Sequence, residues 1–104
     1  MICLKYEYDN EKGSLKLELS EDIDMGVCKT LRDIIDGYII RYNPKECIFD
    51  MGKVTFMDSS GLGLIMGRYN LIKMLNGQMV LVNPCGSVRK ILEMTKLSEE
   101  IKIV

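Results

Sequence analysis

Met57-Asp58-Ser59-Ser60-Gly61-Leu62-Gly63 is the stretch from which the rest of the chain can be placed. A buried-type strand, Cys47-Ile48-Phe49, and a short apolar approach, Val54-Thr55-Phe56-Met57, lead into it, and an amphipathic helix leads out. The stretch is therefore a strand-to-helix corner carrying two adjacent hydroxyls, Ser59 and Ser60. In open α/β folds such corners stand at the carboxyl edge of the sheet, where functional residues gather.

Downstream of the corner, apolar residues at three- and four-residue spacing predict a helix from about Ser60 to Leu75, with Leu62, Ile65, Met66, Tyr69 and Ile72 as its inward stripe. Gly63 and Gly67 fall on one side of it and are expected to let it approach the sheet closely. Leu64, Leu71 and Met74 form a second apolar line, suited either to the margin of the core or to a partner. The helix should stop at Asn76-Gly77, with glycine supplying the left-handed residue. Gln78 to Val82 reads as a strand and Asn83 to Ser87 as a turn. Ser87 to Met94 follows as a third helix, packed through Val88, Ile91 and Leu92, and Ile101 to Val104 as a last strand.

Upstream, Ile2, Leu4, Tyr6 and Tyr8 alternate with polar residues, as do Leu15, Leu17 and Leu19 beyond Asn10-Glu11-Lys12-Gly13, a pattern that predicts a β-hairpin. The acidic loop Ser20-Glu21-Asp22-Ile23-Asp24 ends in a residue suited to cap a helix. That helix runs from about Met25 to Tyr42, on the spacing of Val27, Cys28, Leu31, Ile34, Ile35, Tyr38 and Tyr42. Asn43-Pro44 closes it, because a residue before proline avoids the α region. The element order is β-β-α-β-α-β-α-β. It describes an α/β fold, one domain over residues 1–104, with a mixed sheet that is parallel wherever a helix links two strands.

Composition narrows the function. A chain of 104 residues supports one core, and 47% hydrophobic with 28% charged residues argues against disorder. Fourteen Lys and Arg against 15 Asp and Glu leave no obvious surplus to face nucleic acid. The N-terminus reaches Lys5 without an apolar run, which argues against a signal peptide, and no stretch has the length to span a membrane, so the expected location is cytoplasmic. Cys3, Cys28, Cys47 and Cys85 form no C-x-x-C pair, and histidine is absent (0). No metal site is expected, and the cysteines read as small buried hydrophobes in a reducing compartment.

Ser59 invites several chemistries. A serine nucleophile needs a base, and without histidine only a lysine variant is left, for which Lys53 is the one lysine within six residues upstream. Asp58-Ser59-Ser60-Gly61 is not a G-x-S-x-G elbow either. Gly61 to Gly67 reads G-x-G-x-x-x-G, one residue off the dinucleotide fingerprint, and no G-x-x-x-x-G-K-[ST] loop occurs. No cofactor is expected, with a nucleotide-binding domain standing as an alternative because a helix N-terminus can hold an anion. Helix capping, a contribution of about 1 kcal/mol, explains the residue types at Asp58-Ser59-Ser60 but not a second hydroxyl beside an acid at a sheet edge. A phosphate on Ser59 would bring about −1.5 to −2 charges to a helix N-terminus that tolerates them, and would change how any partner seats on that edge. The residues thus permit a reversible switch.

The run Phe56-Met57-Asp58-Ser59-Ser60-Gly61-Leu62-Gly63, continued by Leu64-Ile65-Met66-Gly67-Arg68-Tyr69, resembles anti-sigma factor antagonists of the STAS-domain superfamily, above all their sporulation branch. The resemblance extends from the hairpin to the final strand. It implies a non-enzymatic regulator of transcription: in the family the first serine of D-S-S-G is phosphorylated by the anti-sigma factor, itself a serine kinase. The dephosphorylated antagonist binds that kinase and frees the sigma factor, and a serine phosphatase resets the cycle. By motif the phosphoacceptor is Ser59, framed by Met57, Asp58, Ser60, Gly61 and Leu62 as the partner-binding surface. The family's T-G-E-L-D aspartate, a partner contact, corresponds to Asp24, with Glu21 where glycine is typical. The chain ends after its last expected strand, where many relatives carry a further helix, so that sheet edge is expected to be less covered or to serve another contact. A constitutive STAS interaction module, indifferent to Ser59, is the alternative the resemblance leaves open.

Overall fold

Period-two alternation yields the antiparallel hairpin of β1 (Leu4–Asp9) and β2 (Ser14–Leu19), turned at Gly13, whose φ of 65° is left-handed. The computed structural model describes residues 4–20 and 22–104. Ile2 and Cys3 of the expected first strand and Glu21 of the acidic loop lie outside the described residues. From the hairpin the chain continues through α1 (Met25–Tyr42), β3 (Glu46–Asp50), α2 (Ser59–Met74), β4 (Gln78–Val82), α3 (Gly86–Met94) and β5 (Lys102–Ile103). A four-residue turn of helix, α4 (Leu97–Glu100), precedes β5 and was not foreseen, since four residues carry no periodicity to read.

The five strands lie in the order β1-β2-β3-β4-β5, with β2 to β5 mutually parallel. Every helical crossover therefore steps in the same direction, and right-handed connections of that kind put the helices on one face. Burial follows the same division. Leu15, Leu17, Leu19, Cys47, Phe49, Met79 and Leu81 are buried beneath the helices, while Lys16, Gln78 and Lys102 on the other face are exposed.

On α1 the expected cap and both ends are as read, with the core contact made by Leu31, Ile35 and Ile39. Asn43 ends the helix in the left-handed region (φ 43°, ψ 57°), not in the extended conformation that proline usually imposes on its predecessor.

On α2 the inward stripe is rotated from the one expected. Gly61, Leu64, Ile65, Arg68 and Ile72 are buried, at spacings of three, four, seven and eleven from Gly61, and Met66 is 49% exposed. Leu64 thus belongs to the core, and Met74, 79% exposed, does not. Gly63 and Gly67 do not serve close approach: a Cβ built on either meets nothing within 4 Å. Gly61 does, because a Cβ there would lie 2.2 Å from Met57 Cγ and 3.0 Å from Ile23 Cγ2. Arg68 is buried by its ionic contact with Asp36 of α1, at 2.6 Å from Nε to Oδ1, which fastens the two helices side by side. The contact is ionic without the alignment of a hydrogen bond. Burial draws the Arg68 pKa down, and the Asp36 charge opposes it.

At the end of α2 the left-handed residue is Asn76 (φ 63°), not Gly77. Gly77 is required for another reason: a Cβ there would stand 2.8 Å from the Pro44 carbonyl oxygen and 3.0 Å from Ile72 Cγ2.

Of the described cysteines only Cys47 is fully buried, Cys28 and Cys85 being half-buried, and all three are free thiols. Burial pushes the Cys47 thiol up to about 12, whereas the Ser87 hydroxyl and the amides opening α3 draw Cys85 down. Labelling of the native protein with a maleimide should modify Cys85 ahead of Cys28, and Cys47 only as the protein unfolds. Peptide mapping over a time course checks the order.

Candidate functional site

Two helices begin next to one another at the corner. Ile23 and Met57 form a parallel bridge, with Ile23 N donating to Phe56 O (3.0 Å) and Asp58 N to Ile23 O (3.2 Å). The next residue on each side is an N-cap: Asp24 accepts from Val27 N (3.2 Å) at the head of α1, and Asp58 from Ser60 N (2.8 Å) and Gly61 N (3.3 Å) at the head of α2. The approach to the corner is clamped by Asp22. Its Oδ1 accepts from Thr55 N (3.0 Å), Thr55 Oγ1 (2.9 Å) and Phe56 N (3.2 Å). These donors, the Thr55 amide foremost, hold the Asp22 carboxyl below the usual carboxylate range.

Ser59 is the first residue of α2 and is exposed. The capping oxygens come from Asp58, and no hydrogen bond or ion pair among the described residues uses the Ser59 side chain. Ser60 and Asp58 are half-buried and Asp24 is exposed beside them. Met57 (2% exposed) and Gly61, framed by sequence as partner-binding, lie inside: they shape the corner from beneath and offer no side-chain surface. Leu62 is half-buried against the core.

Two apolar residues at the corner were not singled out as contacts. Met25 is 78% and Phe56 52% exposed, and Met25 with Ser60 borders a groove of about 520 Å³ between α1 and α2. The local sequence sets neither apart: Phe56, two residues after buried Val54 and one before buried Met57, follows no single alternation, and Met25 simply follows a cap. Cys28 lines the same groove, its thiol pushed up by burial and then by the Asp58 and Asp24 charges.

The arrangement disfavours the other chemistries. Amides that a phosphate would need at the head of α2 already bond Asp58: Ser60 N and Gly61 N to its carboxylate, Leu62 N to its carbonyl. Lys53 is committed to Glu18 at 2.7 Å and so is no base for Ser59. Among the described residues no group of three or more His, Cys, Asp or Glu side chains could hold a metal, and no helix is long and apolar enough to cross a membrane.

Comparison with known proteins bears on the family and the fold. The anti-sigma F factor antagonist of Paenibacillus polymyxa is 33% identical over 94 residues, covering 90% of this chain and 80% of the relative. A putative anti-sigma factor antagonist from Thermotoga maritima superposes with a TM-score of 0.85 at 22% identity, over 96% of this chain and 84% of that one. The Bacillus cell fate determinant SpoIIAA in its phosphorylated form does so at 0.74 and 24% identity, over 98% and 91%. These two likenesses speak to the fold. The profile of the STAS domain matches residues 5–104, and the chain therefore belongs to the STAS domain family.

Proposed function

We propose that this chain is an anti-sigma factor antagonist switched by phosphorylation of Ser59. Unmodified, it binds an anti-sigma factor that is a serine kinase, and a sigma factor is released. The kinase transfers the γ-phosphoryl group of ATP to Ser59 Oγ; the hydroxyl proton passes to a base of the kinase, and ADP leaves. A serine phosphatase restores the hydroxyl. The chain itself is substrate and docking surface, acting in the cytoplasm, and the catalytic groups belong to its partners. Two relatives support this reading by name: the anti-sigma F factor antagonist of Paenibacillus polymyxa and the anti-sigma-B factor antagonist of Listeria monocytogenes, the latter 32% identical over 98 residues.

One observation carries the reading: Ser59 is exposed and outside the cap that Asp58 already completes. A serine kept only to start a helix would place its own oxygen on the first free amides. Incubation with the cognate anti-sigma factor and ATP, followed by phosphopeptide mapping, should find one phosphate, on Ser59. Modification elsewhere, or none, overturns the proposal, and equal affinity of the two forms for the partner would identify a constitutive module.

Asp24 has two roles to separate, cap and contact. Asp24→Asn keeps an oxygen for the Val27 amide and should leave stability within about 0.5 kcal/mol, whereas Asp24→Ala should lose about 1 kcal/mol. If the carboxylate contacts the partner, both variants weaken binding alike, as a pull-down at matched concentrations reads.

A further inference from the structure

β1 is a margin of the sheet: it pairs with β2 on one side and with no other described strand. Lys5, Tyr6 and Glu7 at its middle are all exposed. We propose that this margin is the interface of a two-fold homodimer, in which β1 pairs antiparallel with β1 of a second copy about Tyr6 and joins two five-stranded sheets into one.

Two constraints select that register. Residues opposed across an antiparallel pair point to the same face, so a continuous sheet with its helices on one side must be centred on a residue and not between residues. Lys5 and Glu7 belong to the helix-free face, standing opposite Glu18 and Lys16, whereas Tyr6 stands opposite buried Leu17. A centre on Lys5 or Glu7 sets a charge against its own copy, which destabilises. A centre on Tyr6 sets Lys5 against Glu7 of the second copy, and Glu7 against Lys5 of the second copy. The helix-free face then alternates in sign across four strands: Lys16, Glu7, Lys5 of the second copy, Glu18 of the second copy. On the helix face, Leu4 meets Tyr8 of the second copy and the two Tyr6 residues meet at the axis.

The tyrosines are already positioned for this. Tyr6 stacks on Tyr38 of α1 at 4.3 Å between ring centroids and Tyr8 on Tyr42 at 4.5 Å, yet Tyr6 stays 45% exposed. Rings held in place lose little freedom on association. Charges on an edge strand ordinarily discourage pairing. Opposite charges two residues apart do the reverse for a two-fold partner. The margin is separate from the Ser59 corner, which stands at the carboxyl ends of β2 and β3, and the proposal does not rest on the function of Ser59.

Sedimentation equilibrium of the full chain should give twice the monomer mass at micromolar to submillimolar concentration. Lys5→Glu and Glu7→Lys should each weaken self-association at least tenfold, by setting like charges opposite one another twice. An equimolar mixture of the two variants should dimerise again, because each contact then pairs opposite charges. A parent that stays monomeric, or variants that dimerise as it does, would overturn the interface. Should a variant fail to fold, hydrogen exchange of the parent decides: the Lys5 to Glu7 amides should gain protection as concentration rises, and no change counts against the proposal.

Discussion

Ser59→Asp should weaken binding to the anti-sigma factor by on the order of 100-fold while leaving stability within about 1 kcal/mol of the parent. The two effects separate because the surroundings of Ser59 differ between free and bound protein. In the free protein the side chain is exposed at the head of α2. There a carboxylate gains about 0.3–1 kcal/mol from the helix dipole. It loses about 1 kcal/mol to the neighbouring Asp58 carboxylate, taking two charges about 4 Å apart in water. The terms nearly cancel. On the proposed reading a partner seated on this corner covers the same charge, and a charge buried without a counterpart costs about 2–5 kcal/mol, tenfold in affinity for each 1.4. Titration calorimetry alongside thermal unfolding reads both quantities. A variant that bound as tightly as the parent would end the switch mechanism, whereas Ser59→Ala should bind normally and accept no phosphate.

Gly61→Ala and Gly63→Ala, two residues apart on one helix, should move stability in opposite directions. Replacing a helical glycine by alanine gains about 0.8–1 kcal/mol where space allows. At Gly63 space allows, since a Cβ meets nothing within 4 Å, and the melting temperature should rise by about 4–8 °C. At Gly61 the added carbon would stand 2.2 Å from Met57 Cγ and 3.0 Å from Ile23 Cγ2, both side chains being buried. Overpacking of that kind costs about 1–3 kcal/mol or more, which exceeds the gain. Gly61→Ala should therefore lower the melting temperature, and by pushing Met57 and Ile23 apart it should also loosen the bridge that sets Asp24 beside Asp58. Thermal unfolding of the two variants, with partner binding measured on each, is the check. Equal signs would mean that the helix is seated differently from the structure.

Much of this was legible in the sequence, for identifiable reasons. Asp24, the ends of α1 and the bounds of β4 follow from strong local signals: a cap before a clean 3.6-residue period, and a short apolar run between turn residues. The face of α2 was legible only in part: Ile65 and Ile72 are buried as expected and Leu62 and Tyr69 pack against the core, but the buried stripe also contains a glycine and an arginine. Apolar counting skips both Gly61 and Arg68 and takes up the exposed Met66 instead. What buries Arg68 is Asp36, thirty-two residues earlier, a partner that no window along the chain reveals. The end of α2 shows the same limit. Asn76-Gly77 marks the stop, but Asn76 takes the left-handed conformation, and Gly77 is needed instead because the Pro44 carbonyl leaves no room for a Cβ. At the candidate site Ser59 is exposed, and only burial distinguishes Met57 and Gly61 beneath the surface from Met25 and Phe56 upon it.

The three donors on Asp22 also fix the acidity at which the corner can come apart. A carboxyl held below its unfolded value contributes stability that is present above the unfolded pKa, about 3.9, and is lost as pH falls through its folded value. The clamp thus keeps one charge state from mildly acidic to mildly alkaline solution, and the chain contains no histidine (0) to titrate in that interval. A phosphate on Ser59, with a second pKa of about 6, would be the group at this corner that changes charge near neutrality. Partner affinity measured across that interval should then be flat on this chain's account when Ser59 is bare and sloped when it is modified, so that acidity itself reports the modification state.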